Sequence, residues 1–264
     1  MSPLAFEATG PPAAPVVLLL HGFLGSRRDW APVVAALAPT LRCLLVDLPG
    51  HGATGEPADE NLWTPAGCVA ALAGLLAAAG GGNVVGYSLG GRLALQLAVE
   101  YPDLVARAVC VAATPGIADE TARQLRREQD ERLARRLETQ GLEPFLDDWY
   151  GQPLFTELRK QPGFAAVLER RRCNDPRLLA RSLRTMGPGS QRSLWDDLPG
   201  LQTPVLFLAG EHDAKFTALA LDAVAICRQS EAVVLRGRGH ALVEEDPVAV
   251  ARETKGFFGD HTNR

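Results

Sequence analysis

Long apolar runs are absent from this sequence of 264 residues. A membrane-spanning helix requires about 20 consecutive apolar residues, and no stretch of the chain approaches that length. The first residues, Met1 to Glu7, have neither the basic start nor the continuous apolar stretch of a secretory signal. We therefore expect a cytoplasmic protein that does not insert into a membrane.

Cysteines are few and far apart. The chain has five, and no two of them form a Cys-x-x-Cys pair: Cys43, Cys68, Cys110, Cys173 and Cys227. Such spacing is not typical of a zinc ribbon or a disulfide scaffold. We expect reduced, mostly buried thiols and no metal site built from them.

Net charge is small, and it is unevenly distributed. The total of −4 argues against general nucleic-acid binding. Residues 121–192 carry 15 Lys and Arg against 10 Asp and Glu, whereas the rest of the chain carries 12 basic and 21 acidic residues. Most of these arginines are expected on solvated helix faces with partners one turn away. A few are predicted to face a small anionic ligand, because guanidinium groups suit carboxylates.

Short apolar runs alternate with helical patterns along most of the chain. Buried parallel strands are continuously apolar because both faces of the sheet are covered. The runs lie at Val16–Leu20, Cys43–Asp47, Val84–Tyr87, Ala108–Ala112, Val205–Ala209 and Ala232–Leu235. Helical patterns lie at about Asp29–Leu37, Pro65–Ala79, Leu89–Glu100, Thr217–Cys227 and Pro247–Phe257. This alternation predicts an α/β protein with a mostly parallel, doubly wound sheet.

The alternation stops in the middle of the chain. Amphipathic helical segments such as Ala122–Leu137 and Pro176–Met186 follow one another there without a strand between them. Pro-Gly pairs mark the edges of this stretch. We predict a helical lid over residues 115–202, inserted into a core formed by residues 1–114 and 203–264.

A candidate nucleophile follows the third of these apolar runs. The motif Gly86-Tyr87-Ser88-Leu89-Gly90 joins a predicted strand to a predicted helix, and its glycines permit a tight turn that exposes the serine hydroxyl. A bare G-x-S-x-G is only moderate evidence in a glycine-rich chain. The strand-to-helix context makes Ser88 the predicted nucleophile or base.

A serine hydroxyl is activated by a histidine whose tautomer is fixed by a carboxylate. Asp213 and His240 each follow a predicted strand, so both are expected at the carboxyl edge of the sheet, where open α/β sheets bind ligands. Glu211 and His212 compete with Asp213 in the same loop, and Asp213 also has the alternative of capping a helix. The order Ser88, Asp213, His240 predicts a catalytic triad.

The loop after the first apolar run contains His21-Gly22-Phe23. In a fold with such an elbow, one backbone amide of an oxyanion hole comes from this loop and the other from the residue after the nucleophile. Phe23 and Leu89 are the predicted donors. His21 is expected to have a structural hydrogen-bonding role, and His51 is given no catalytic role.

Taken together, these motifs resemble the α/β-hydrolase superfamily over nearly the whole chain. Further motifs resemble one family within it, the 2-succinyl-6-hydroxy-2,4-cyclohexadiene-1-carboxylate synthases of menaquinone biosynthesis. They are Gly-Tyr-Ser-Leu-Gly-Gly-Arg ending at Arg92, Arg126 four residues before Asp130, Asp148-Trp149-Tyr150 followed by Gln152-Pro153 and Phe155, Arg172-Cys173-Asn174, and Asp213-Ala214-Lys215-Phe216.

The resemblance implies a lyase that abstracts a ring proton and expels pyruvate, with no cofactor and no metal. It also implies that Arg92, Arg126 and Arg172 bind the carboxylates of the substrate. Tyr87, Trp149 and Lys215 are implied as further residues of the pocket. Arg92 lies one helical turn beyond Ser88, which favours the pocket over the surface, whereas Arg172 is distinguished from its neighbours only by its spacing to Asn174.

Alternatives remain open from the sequence. The same triad serves an ester or thioester hydrolase acting on a small anionic substrate, since fold and triad do not fix the reaction. A non-catalytic scaffold usually lacks a triad member, which this chain does not. Where relatives commonly carry Asn and a second His after the catalytic histidine, this chain has Ala241 and Val243, and Arg238 faces either the site or solvent. The sequence is compatible with a monomer or a homo-oligomer.

Overall fold

The sheet has seven strands in the order β1-β3-β2-β4-β5-β6-β7, in a computed structural model that describes residues 3–259. The strands are β1 Phe6–Thr9, β2 Val16–Leu20, β3 Arg42–Val46, β4 Gly82–Tyr87, β5 Val105–Val111, β6 Val205–Gly210 and β7 Ser230–Leu235. Only β1 is antiparallel to its neighbour; the other strands pair in parallel. The predicted α/β fold is confirmed, together with every predicted strand.

Strand β1 is the strand that the sequence patterns did not predict. It is short, mostly exposed, and lies at the edge of the sheet, where Phe6 pairs with Val46 and Thr9 with Cys43. An edge strand with one exposed face has no continuous apolar run. It forms by hydrogen bonding to the free edge of β3, and it has no continuous apolar pattern of its own.

The structure has eleven α-helices within residues 3–259. They are α1 Ala31–Leu37, α2 Pro65–Ala78, α3 Leu89–Glu100, α4 Glu120–Gln140, α5 Leu142–Gly151, α6 Thr156–Arg159, α7 Phe164–Arg171, α8 Pro176–Met186, α9 Ala214–Ile226, α10 Leu242–Glu245 and α11 Pro247–Gly259. The predicted helices all form, with ends displaced by a few residues. None of the helices in the described part is long and apolar enough to cross a bilayer.

The core has two layers, one on each face of the sheet. Within β2, Leu18 and Leu20 belong to one cluster of buried side chains, and Val17 and Leu19 belong to the other. Successive side chains of a strand point to opposite faces, so a fully apolar strand contributes to both layers. This arrangement accounts for the continuous apolar runs of the central strands.

Helices α4 to α8 lie between β5 and β6, within the stretch 115–202 predicted as a lid. They form a third cluster, in which Ala134 and Leu137 of α4 pack with Leu179 and Leu183 of α8. Leu24 and Ala241, from loops at the carboxyl edge of the sheet, belong to the same cluster. These helices, called the lid below, therefore cover the edge at which Ser88 lies. Residues 1–2 and 260–264 of the predicted core lie outside the described part of the chain.

Candidate active site

Ser88 occupies a strained turn between β4 and α3. Its backbone has φ 50° and ψ −102°, a conformation that side-chain-bearing residues rarely adopt and that is typical of functional sites. Two glycines permit the turn: a Cβ on Gly86 would lie 2.1 Å from the Gly90 carbonyl oxygen, and one on Gly90 would lie 2.2 Å from that of Leu20. The sequence motif is thus explained by close backbone packing around the serine.

The structure brings Ser88, His240 and Asp213 together. The His240 Nδ1–H donates to Asp213 Oδ2 over 2.6 Å, and the Ser88 hydroxyl lies 3.4 Å from His240 Nε2. The bond to the carboxylate places the proton on Nδ1 and leaves the Nε2 lone pair directed at the serine. His240 and Asp213 are both buried, while Ser88 is partly accessible. This is the geometry in which an imidazole removes a proton from a hydroxyl.

Asp213 has both of the roles considered from the sequence, since it binds the catalytic histidine and also caps a helix. Its Oδ1 accepts a hydrogen bond from the Phe216 amide and caps α9, while Oδ2 accepts from His240. The competing residues have other partners: Glu211 accepts from the Gly237 amide, and His212 pairs with Glu157 of the lid. The helix cap therefore holds the carboxylate in position for the imidazole.

The two amides predicted to form an oxyanion hole lie on adjoining loops. The Gly90 amide donates to the His21 carbonyl oxygen over 3.1 Å, which ties the loop carrying Phe23 to the serine turn. Within residues 3–259, neither the Phe23 nor the Leu89 amide donates a hydrogen bond to another backbone group. Both residues line the cavity that contains Ser88. Their amides are thus available to a bound oxygen atom.

Two buried histidines form hydrogen bonds that hold the loop carrying Phe23 in place. His21 Nδ1 donates to the Gly22 carbonyl and its Nε2 accepts from the Leu48 amide, whereas His51 Nδ1 donates to the Pro49 carbonyl and its Nε2 accepts from the Leu24 amide. Burial lowers the pKa of His21, and it lowers the pKa of His51 to about 3. Both rings are therefore neutral structural elements, in agreement with the sequence prediction.

A cavity of about 310 Å³ lies between Ser88 and the lid. One wall is aromatic: Trp149 stacks on Phe145 with ring centroids 5.6 Å apart and meets Phe23 edge-on at 5.3 Å. Four basic side chains line the cavity against one acidic residue, Glu244; they are Arg92, Arg126, Arg171 and Lys215. The cavity therefore combines an apolar wall with an excess of positive charge.

Arg92 is buried and, unlike Arg126 and Arg171, has no acidic partner in the described part of the chain. It is 6% exposed, and its guanidinium donates to the Met186 carbonyl and to Gln191 Oε1 over 2.8 and 2.9 Å. Burial, together with the charge of Arg126, lowers the pKa of Arg92 to about 9. A carboxylate placed beside this group relieves an unfavourable buried charge. Arg92 is thus a strong candidate for anion binding.

Arg126 lies at the same end of the cavity on α4. Its Nε donates to Asp130 Oδ1 over 2.9 Å, while Asp130 Oδ2 is buried without a hydrogen-bond partner among the described residues. Desolvation raises the pKa of Asp130 despite this pair. The terminal nitrogens of Arg126 are not used in the pair with Asp130, so its guanidinium can meet a ligand as well.

The structure corrects the assignment of Arg172 to the cavity. Arg172 points to solvent and pairs with Glu143 and Glu169, two exposed acids. Arg171 lines the cavity in its place and is 4% exposed. Consecutive residues of a helix differ by about 100° in direction, so only one of these neighbours can face inward. The spacing to Asn174 did not determine which.

Arg171 is held in a network of buried charges. Its Nη1 donates to both oxygens of Asp29, its Nη2 to Glu244 and its Nε to the Tyr150 hydroxyl. Arg170 makes ion pairs with the same two acids from a less buried position. Arg171 lowers the pKa of Asp29 despite its burial. The network joins the lid to the loops after β2 and β7.

The remaining predicted residues take the following positions. Tyr87 lines the cavity with its ring centroid 5.7 Å from that of His240, and burial raises the pKa of Tyr87 well above its ordinary value. Trp149 belongs to the aromatic wall, and Lys215 lies exposed at its rim. Arg238 pairs with Asp246 and is not among the cavity residues.

Three charged or polar residues of this site were not assigned from the sequence. Arg171 was present only as part of a run of three arginines, and Glu244 had no motif to distinguish it. Tyr150 was named only within a motif, but it lines the cavity and accepts a hydrogen bond from Arg171. The run of arginines was the one signal that pointed to this part of the site.

Comparisons with known proteins agree with this geometry. A family model described as the alpha/beta hydrolase fold matches residues 15–247. A 2-succinyl-6-hydroxy-2,4-cyclohexadiene-1-carboxylate synthase from Salmonella schwarzengrund is 36% identical, and the alignment covers 91% of this chain and 92% of the relative. The chloroplastic protein PHYLLO of Arabidopsis thaliana is 31% identical over 92% of this chain, which spans only 15% of that protein's length. The structure of MenH from S. aureus superposes with a TM-score of 0.92 at 28% identity, covering 98% of this chain and 99% of that chain.

Proposed function

The chain belongs to the α/β-hydrolase fold family and, within it, to the 2-succinyl-6-hydroxy-2,4-cyclohexadiene-1-carboxylate synthases; from this premise we propose that it is a carbon–oxygen lyase acting on 2-succinyl-5-enolpyruvyl-6-hydroxy-3-cyclohexene-1-carboxylate. The reaction removes a ring proton and expels pyruvate, giving the cyclohexadiene product of menaquinone biosynthesis. The observation that carries the proposal is a Ser-His-Asp arrangement facing a cavity lined by four basic residues.

The proposed reaction begins with proton transfer from Ser88 to His240. As His240 Nε2 takes the hydroxyl proton, Ser88 Oγ removes the proton from ring carbon 2, next to the succinyl ketone. The electrons of that C–H bond form a double bond to carbon 3, the ring double bond shifts to carbons 4 and 5, and the C5–O bond breaks. Asp213 stabilises the imidazolium that forms. His240 then returns its proton to the released pyruvate enolate, directly or through water.

Negative charge develops on the succinyl ketone oxygen while the ring proton leaves. The amides of Phe23 and Leu89 are the donors proposed to stabilise that oxygen, as they would the oxyanion of an ester hydrolysis. Preorganised donors are effective because they require no reorganisation during the reaction. In this mechanism Ser88 acts as a base, and no bond forms between Oγ and the substrate.

The basic residues account for substrate selection. The substrate carries three carboxylates, and Arg92 and Arg126 are the cavity guanidiniums available to them. Arg171 also lines the cavity, but each of its nitrogens already donates to Asp29, Glu244 or Tyr150. A guanidinium donates two parallel hydrogen bonds to a carboxylate, which a lysine cannot do. Lys215 at the rim would attract the anion as a point charge. The aromatic wall around Trp149 provides an apolar surface on which the ring of the substrate can pack.

Intact-mass measurement tests this function against the alternative of an ester or thioester hydrolase. The protein is mixed with the enolpyruvyl substrate and quenched with acid within one turnover. The lyase mechanism predicts free pyruvate and an unmodified protein mass. A substrate adduct on Ser88, or turnover of p-nitrophenyl esters faster than that of the enolpyruvyl substrate, would instead support the hydrolase.

A further inference from the structure

The loop that carries His240 is fastened by one buried carboxylate. Glu245 lies at the end of the four-residue helix α10, five positions after His240, and is 6% exposed. Its side chain turns back over this helix. Oε2 accepts from the Gly239 amide over 2.5 Å, and Oε1 accepts from the Ala241 amide over 3.0 Å. The two amides are those immediately before and after His240.

We propose that Glu245 is a positioning residue for His240, holding the imidazole between Ser88 and Asp213 by fixing the backbone N–H groups of the two residues that flank it, Gly239 and Ala241. This inference rests on the proposed role of the triad, and it adds a fourth residue that contacts neither substrate nor the reacting atoms. Glu245 acts on the reaction only through the backbone of the histidine.

The two amides that flank His240 need an acceptor that neither the strand nor the helix supplies. A loop between a strand and a short helix has no regular hydrogen-bond partner for its amides, and leaving them buried and unpaired is unfavourable. Bonds from amides to an ionised carboxylate are roughly twice as strong as those between neutral groups. A carboxylate with two oxygens can accept from both amides at once. Glutamine can accept through one oxygen only, and its amide nitrogen would face the second N–H.

The Glu245 carboxyl is buried between two other parts of the fold. Burial raises the pKa of its carboxyl, and the two amide bonds act in the opposite direction. Glu157 of α6 packs over the same loop, since a Cβ on Gly239 would lie 3.2 Å from the Glu157 Cβ. The β6 end approaches from the other side, where a Cβ on Gly210 would lie 2.1 Å from the Gly239 carbonyl oxygen. The loop is thus packed on both sides, and Glu245 sets its backbone between them.

The test compares Glu245→Gln and Glu245→Ala with the wild type and with Glu231→Gln, an exposed acid on β7. Two properties are measured for each protein. The first is kcat and KM for pyruvate release from the enolpyruvyl substrate. The second is the labelling of Ser88 by phenylmethylsulfonyl fluoride, followed by mass, which requires a reactive Ser88 but not the enolpyruvyl substrate. The labelled fraction reports how much protein is folded, and the rate constant reports how reactive Ser88 is in each folded molecule.

Positioning predicts a lower labelling rate constant and a lower kcat, with KM changed less than about twofold. A displacement of about 1 Å at a catalytic group costs on the order of 100-fold, which is the loss expected for Glu245→Ala. Glu245→Gln should retain part of the activity, with a loss of about 10-fold, since it keeps one acceptor. Glu231→Gln should match the wild type.

Two different results would contradict the role of Glu245 and the proposed function. If both Glu245 variants label fewer molecules but at the wild-type rate constant, with an unchanged kcat per labelled site, Glu245 is structural only and the proposal is wrong. If the wild type labels normally but releases no pyruvate, the proposed function fails, while the labelling rates still decide the role of Glu245. The two failures are therefore distinguishable.

Discussion

Replacing Arg92 by alanine is the sharpest perturbation of the charged cavity. Arg92 is 6% exposed and donates only to neutral acceptors, so its removal leaves no buried acid without a partner. Two neutral acceptors, the Met186 carbonyl and the Gln191 amide oxygen, lose their donor. Loss of activity can therefore be separated from loss of stability more cleanly here than at Arg171.

The expected magnitude follows from the burial of the guanidinium. Leaving a substrate carboxylate desolvated and unpaired costs about 2–4 kcal/mol. The corresponding loss in kcat/KM is about 30- to 1,000-fold. Arg92→Lys should recover part of this loss, because the charge returns but the two parallel hydrogen bonds do not.

Steady-state kinetics of pyruvate release measure this loss, and urea unfolding of the same proteins measures the change in stability. Arg172→Ala is the matched control, since Arg172 belongs to the same basic insert but pairs at the surface with Glu143 and Glu169. Its kcat/KM should equal that of the wild type. If Arg92→Ala behaves like Arg172→Ala, the cavity does not select an anionic substrate, and the esterase alternative should replace the lyase.

Three further predictions follow from the site. Ser88→Ala, His240→Ala and Asp213→Asn should each lower kcat by at least about 100-fold, and their effects should not add, because the three residues act as a unit. Arg171→Ala should lower the free energy of unfolding in urea by about 1.5–3 kcal/mol, since two buried carboxylates lose one of the two arginines that they share and keep Arg170. Stability should also fall on acidification from about pH 6.5 towards pH 3, because His51 stays neutral in the folded state, where its pKa is about 3, but takes up a proton when unfolded.

The controls for these predictions differ. Near-normal turnover by Ser88→Ala would contradict the triad, and a stable Arg171→Ala protein would contradict the buried network. For the acid dependence, each proton bound only by the unfolded state changes the free energy of unfolding by about 1.4 kcal/mol per pH unit. His51→Gln keeps an acceptor for the Leu24 amide and has no titration in this range, so its loss of stability between pH 6.5 and 4 should be shallower. Equal slopes for the two proteins would contradict the assignment.

The triad was predictable because its constraints are local. Gly86 and Gly90 are fixed by backbone contacts of the turn itself, and Asp213 and His240 follow strands whose apolar runs are visible in the sequence. Parallel strands bring their carboxyl ends to one edge, so placing the strands also places these residues. The same reasoning predicted the sheet apart from β1.

The lid could not be predicted at the same level. Whether Arg171 or Arg172 faces the cavity depends on where α7 ends and on how it packs against the core, and a shift of one residue reverses the answer. Arg171 is turned inward by its ion pairs with Asp29 and Glu244, which are distant in sequence and have no recognisable spacing. The position of Glu245 likewise depends on contacts with two backbone amides, which have no sequence signature. The charge composition predicted that the lid is basic, whereas tertiary packing determines which of its residues face the cavity.

The most direct test of the account is pyruvate release from 2-succinyl-5-enolpyruvyl-6-hydroxy-3-cyclohexene-1-carboxylate, followed by coupling to lactate dehydrogenase. Wild-type protein and Ser88→Ala are assayed at equal concentrations beside a sample without protein. We expect the wild type to release one pyruvate per substrate, at least about 100-fold faster than Ser88→Ala. Pyruvate release by the wild type at the rate of the protein-free sample, or at the same rate as Ser88→Ala, would contradict it.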